Sequence, residues 1–97
     1  MYRLNIRGFI WLDEIVEKLA WKHRVEPYEV EELFRGVPKF RFVENGNHKD
    51  EDIYAALGPT EEGRYLIVFF SWKNDGRVLP ISARDMTPGE RKRYGRK

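Results

Sequence analysis

Arg77, Arg84, Arg91, Arg93 and Tyr94 crowd towards the C-terminus of this chain. Guanidinium groups bind phosphate through paired N–H donors and keep their charge at any relevant pH. A tyrosine can stack on a base or pass a proton. RNA cleavage without a metal needs few parts: help in deprotonating the 2′-hydroxyl, a proton for the leaving oxygen, and cations around the charged phosphorane. Arg84 stands apart from the rest because it follows Ile81-Ser82-Ala83 at the end of an expected strand, where a side chain projects from a rigid support. A salt bridge to a nearby glutamate is its competing use. Arg91 and Arg93 also read as ordinary solvated helix residues.

Other chemistries are poorly supplied. His23 and His48 are isolated from each other, no HExxH pattern occurs, and cysteine is absent. No metal site and no cofactor are therefore expected. Gly58 and Gly63 read as turn residues rather than as a phosphate-cradling loop. Ser71 and Ser82 fall in strands without the pattern of a nucleophile elbow.

Charge is placed unevenly. Residues 1–63 carry 9 Lys/Arg and 13 Asp/Glu, whereas residues 64–97 carry 9 Lys/Arg and 3 Asp/Glu, so −4 and +6 make the net +2. The positive end suits a polyanion or an acidic protein, and a merely solubilising tail is the plain alternative. At 97 residues, 41% hydrophobic and 35% charged, the chain can bury one modest core, and a single domain over residues 1–97 is expected. The longest apolar run, residues 65–70, is far too short to span a membrane, and the start has no signal-peptide-like apolar region. A cytoplasmic protein fits.

The elements that must hold these side chains follow from period and punctuation. Residues 4–10 give a short possible strand. Trp11, Leu12, Ile15, Val16, Leu19 and Ala20 recur at helical spacing, with Asp13 and Glu14 in the first turn and Lys22, His23 and Arg24 in the last. A second helix starts with Glu26 as cap, Pro27 at the first position and Glu29 at the third, stapled by Val25 and Val30, and stops at Gly36. The period then changes to two. Phe40 and Phe42 alternate with Lys39 and Arg41, residues 53–57 form another strand, residues 65–72 a central one, and Asn74-Asp75-Gly76 turns into a return strand from Arg77. Pro80 lacks an N–H, which predicts an edge strand or a bulge. Thr87-Pro88-Gly89-Glu90 opens a short last helix. The fold class is α+β: two N-terminal helices on a mainly antiparallel sheet of about four strands, with a short C-terminal helix.

Taken together, these residues resemble the BrnT toxins. The resemblance rests on Trp11, the Lys22-His23 pair, the helix from Glu29 to Phe34, the strand Gly63-Arg64-Tyr65-Leu66-Ile67-Val68, and above all Arg77-Val78-Leu79-Pro80-Ile81-Ser82-Ala83-Arg84 followed by Glu90-Arg91 and Tyr94. It implies a RelE-like fold and the toxin of a type II toxin–antitoxin system, a metal-independent endoribonuclease that inhibits translation. It implies an RNA substrate and a cognate BrnA-like antitoxin with a ribbon-helix-helix domain, operator DNA being bound only through that antitoxin. Position by position, it implies catalytic roles for Arg84, Arg77, Tyr94 and His48 and RNA-binding roles for Lys22, His23 and Arg91, while the basic C-terminal cluster itself adds Arg93 as RNA-binding. Two departures stand out: Arg24 replaces a glycine that usually follows the Lys-His pair, and Ile53 stands where an arginine is expected. A non-catalytic relative binding an acidic protein or nucleic acid is the alternative that Ile53 raises.

Overall fold

The computed structural model describes residues 5–46 and 51–96. The elements run β1 (Gly8–Phe9), α1 (Asp13–Lys18, continued by a π-helical turn Leu19–His23), α2 (Pro27–Arg35), β2 (Lys39–Glu44), β3 (Ile53–Pro59), β4 (Tyr65–Trp72), β5 (Arg77–Asp85) and α3 (Pro88–Tyr94). One five-stranded sheet has the order β1-β5-β4-β3-β2. β2 to β5 pair antiparallel, and β1 joins β5 in parallel. The expected α+β class holds, but the sheet is mixed and has five strands rather than about four. The fifth strand is the two-residue β1, within the possible strand at residues 4–10, whose Gly8 and Phe9 sit opposite Arg77 and Val78.

Strand alternation gives the sheet two different faces. Ala56, Leu66, Val68, Phe70, Val78 and Ala83 turn to the side where Leu19, Val25, Val30 and Leu33 of the helices form the main core. The alternate residues Ala55, Leu57, Ile67 and Phe69 turn the other way and meet Met86 and Tyr94 of the C-terminal segment. The helix face is therefore filled, and the outer face is only part covered by α3.

Pro80 lies in neither a plain edge strand nor a regular central one. β5 sits between β4 and β1, but β1 reaches only to Val78, so no ladder partner flanks Pro80 on that side. The bulge comes next: Phe70 pairs with Pro80 while Phe69 pairs with Ser82, leaving Ile81 as the extra residue. One inserted residue switches the alternation. Val78 and Pro80 share the helix face with Ala83, and Ser82 and Arg84 are thereby turned outward.

The helix ends confirm most of the punctuation. The Glu26 N–H donates to the Glu29 carboxylate at 3.0 Å, Val25 and Val30 are both fully buried, and Gly36 ends α2. The first helix closes through Leu19–His23 into Arg24, whose φ of 55° lies in the left-handed region. That is the position where the BrnT resemblance expects glycine. A side chain there costs about 1–2 kcal/mol, against roughly 0.5–1 kcal/mol for the extra unfolded-state freedom of glycine. Arg64 offsets part of the strain, because its Nη1 donates to the Arg24 carbonyl at 2.7 Å and its Nη2 to the His23 carbonyl at 3.0 Å. Arg24→Gly should therefore raise stability by about 0.5–1 kcal/mol. Urea unfolding of the variant beside the wild type checks this, and a lowered midpoint would show that the arginine side chain itself contributes more than the strain it causes.

Candidate nucleic-acid interface

On the outer face the register sets side chains in rows. Lys39 on β2 pairs with Leu57, Leu57 with Ile67, and Ile67 with Arg84, so a cation stands at each end of an apolar row. The next row runs Arg41, Ala55, Phe69 and Ser82. α3 lies across the Lys39–Arg84 end of this face. Its capping box is the one the sequence announces: Thr87 Oγ1 accepts from the Glu90 N–H, and the Thr87 N–H donates to Glu90 Oε1 at 2.9 Å.

Glu90 has a second task. Its two carboxylate oxygens accept from Arg84 Nη1 and Nη2 at 2.8 and 2.9 Å, a bidentate pair. Arg84 Nη1 also donates to the Asp85 carbonyl, and its guanidinium lies 5.8 Å from the Phe69 ring centre. The arginine is thus fixed in orientation, with 35% of its side chain still exposed, while Glu90 is nearly buried. The competing use foreseen for Arg84, a salt bridge to a nearby glutamate, is present in the structure.

Two cations of α3, Arg91 and Arg93, take different neighbours. The Arg91 guanidinium stacks 4.1 Å from the Tyr65 ring centre. Arg93 and Tyr94 line a groove of about 190 Å³ with Lys39, Phe40, Arg41 and Leu57. The Tyr94 ring packs against Tyr65 at 6.0 Å and lies 5.0 Å from the Lys39 ammonium. Its hydroxyl donates to the Val37 carbonyl at 3.0 Å, and burial raises its pKa. Lys39 Nζ donates to the Tyr94 and Arg96 carbonyls, closing the end of the helix. Tyr94 is thereby an anchor of α3, and its proton already has an acceptor.

Of the residues singled out in the sequence, Arg84, Arg91, Arg93 and Tyr94 come together here. His23 lies at the adjoining rim, near Asp85, whereas Lys22 stands exposed on the closing turn of the first helix. The His23 carbonyl accepts from Arg64, and Arg64 Nε pairs with Asp85 at 2.8 Å, one residue beyond Arg84. Arg77 is elsewhere. It begins β5, seven residues from Arg84, or about 20 Å along a strand. Its Nε is bound to Asp75 at 2.8 Å beside the β4–β5 turn. His48 lies outside the described residues.

Lys39, Arg41 and Tyr65 were missed as site residues. The alternation of Lys39 and Arg41 with Phe40 and Phe42 carried the signal, since Phe40 packs against the helix-side core and its neighbours Lys39 and Arg41 turn outward. Among the described residues no three His, Asp or Glu side chains are grouped so as to hold a metal ion, and no helix is long and apolar enough to cross a membrane.

An α+β sheet with one filled face and one cationic, part-open face is a form suited to binding an extended polyanion. Residues 11–90 match the family model described as ribonuclease toxin, BrnT, of type II toxin-antitoxin system. The chain belongs to that family. Comparison with curated proteins gives no match. The matched span contains Arg84 and Glu90 and stops before Arg93 and Tyr94.

The Arg84–Glu90 pair has a pH signature. Arg84, burial notwithstanding, holds the Glu90 carboxyl at about 2, well below its ordinary 4.5, with help from the Thr87 N–H. A depressed folded-state pKa means that the unfolded chain binds the proton more readily. The stabilisation is complete above about pH 4.5 and is lost as pH falls towards 2. Partial exposure of Arg84 screens the pair, leaving about 1–2 kcal/mol. Urea titrations across pH 2–5 should show wild-type stability rising more steeply with pH than that of Glu90→Gln. Parallel slopes would mean that Glu90 titrates normally in the folded protein.

Proposed function

We propose that the outer face of the sheet, centred on Arg84, cleaves single-stranded RNA without a metal ion. The protein on this reading is the toxin of its pair, inhibits translation in the cytoplasm, and has the RelE-like fold that its motifs imply. Membership of a family of ribonuclease toxins gives the reaction class. The observation that carries the site is the Arg84 guanidinium, clamped by Glu90 and Asp85, with Arg91 of α3 beside it on the same face.

In the reaction the 2′-oxygen bonds to phosphorus as its proton leaves, and the bond from phosphorus to the 5′-oxygen breaks as that oxygen gains a proton. The products are a cyclic phosphate and a 5′-hydroxyl end. Charge accumulates on the phosphorus-bound oxygens in between, and preoriented donors there lower the barrier without reorganising. Glu90 and the Asp85 carbonyl supply that preorientation by fixing the plane of the arginine. Arg91, stacked on Tyr65, adds positive potential along the path of the strand. An antitoxin of ribbon-helix-helix type would silence the toxin by laying an acidic segment over this face, and would carry the pair to operator DNA.

The second reading is a binding module of the same fold. Two observations favour it. Ile53 stands on the outer face, paired with Glu44 and Ser71, where the resemblance expects an arginine. Glu90 also neutralises part of the charge of Arg84.

One experiment separates the two. RNA cleavage in EDTA is measured for wild type, Arg84→Ala and Arg84→Lys. The toxin reading expects cleavage by wild type and a loss of about 100–1000-fold in either variant. Arg84→Lys keeps a cation beside Glu90, so it guards against a loss that merely reports misfolding. Folded wild type that cleaves no RNA would establish the binding module instead.

A further inference from the structure

The groove between β2 and α3 is separate from the Arg84 clamp. Three strand spacings divide Lys39 from Arg84 along one row, about 14 Å. Its rim carries two arginines, Arg41 and Arg93, and among the described residues neither enters an ion pair. Most other arginines nearby are committed: Arg64 to Glu29 and Asp85, Arg84 to Glu90, Arg91 to the Tyr65 ring. The floor is Leu57, and one wall is the Tyr94 ring, held from several sides by Val37, Tyr65 and Lys39.

We propose that this groove is a nucleotide-binding subsite for the same RNA strand, in which Arg41 and Arg93 hold a phosphate and a base rests against Tyr94 and Leu57. The inference builds on the reading of the outer face as an RNA site. An aromatic wall with cations at its rim is how sequence-tolerant single-strand sites are made, the ring giving a stacking surface and the cations tracking the backbone. A protein partner would look for a large apolar anchor. Among the described residues the exposed large apolar side chains are Leu12, Trp21, Tyr28, Val37, Phe42 and Val43, none of which lines the groove. Its small volume, about 190 Å³, suits one base of a single strand.

The subsite acts on binding, so its effect is distinct from that of Arg84. A short fluorescent 2′-O-methyl single-stranded RNA, which cannot be cleaved, is titrated by anisotropy at several salt concentrations. Arg41→Gln and Arg93→Gln should each weaken binding about 3–10-fold at low salt. Each should lower the slope of log affinity against log salt by about 0.7, the loss of one phosphate contact on a single strand. Arg41→Lys should restore the slope, because the charge returns. On cleavable RNA, Arg41→Gln should raise KM and leave kcat within about twofold. Wild-type binding with unchanged affinity and slope in both glutamine variants would overturn the subsite alone. Wild type that neither binds nor cleaves RNA would overturn the RNA reading and the subsite with it. Both arginines are surface side chains, so their replacement leaves the core packing intact.

Discussion

Ile81 is one residue more than the β4–β5 ladder can pair, and that surplus decides which way Arg84 points. Were the strand to run without a bulge through Ile81, Arg84 would share its direction with Val78 and Pro80 and be driven into the helix core. A guanidinium there would lose its water without an adequate partner. With the bulge, the strand keeps Val78 and Ala83 on the filled face and hands Ser82 and Arg84 to the open one. Pro80 favours the irregularity, since it has no N–H to give and β1 has already ended at Val78. The local sequence thus trades one rung of the ladder for the orientation of one arginine.

The rim around that arginine is built from shared partners. Glu90 closes the first turn of α3 and clamps Arg84 with the same carboxylate, so the helix and the strand end are fixed together. Arg64 does the corresponding work on the helix side. It joins Glu29 of α2, Asp85 of β5 and the carbonyls at the left-handed end of the first helix. The two arginines meet at Asp85, which gives its carboxylate to Arg64 and its carbonyl to Arg84. Function and stability are therefore coupled at this rim. A change that loosens the closing turn of the first helix can reach Arg84 through Arg64 and Asp85.

Much of this was legible from residue order, and the reasons differ by element. The capping box at Thr87 and Glu90, the proline at the start of α2 and the hairpin at Asn74-Asp75-Gly76 depend on neighbours within a few positions, so local pattern suffices. β1 was hard to place, because a two-residue parallel strand is defined by its partner and not by its own period. Arg77 and Arg84 look equivalent in sequence, yet the length of β5 sets them about 20 Å apart. The groove was missed because Lys39 and Arg41 meet Arg93 and Tyr94 only after three strands have been laid side by side. The resemblance supplied the meaning of Arg24, and the left-handed φ supplied its physical reason. His48 stands outside the described residues.

The central claim is that RNA lies on the open face of the sheet at Arg84. Amide chemical-shift mapping of isotope-labelled protein, titrated with an uncleavable single-stranded oligonucleotide, tests it most directly. The account predicts that the largest shifts fall on Lys39, Arg41, Ser82, Arg84, Arg91 and Arg93, with Arg77 and Gly76 unmoved. Shifts centred on the Asn74–Arg77 turn, with the Arg84 rim silent, would contradict it.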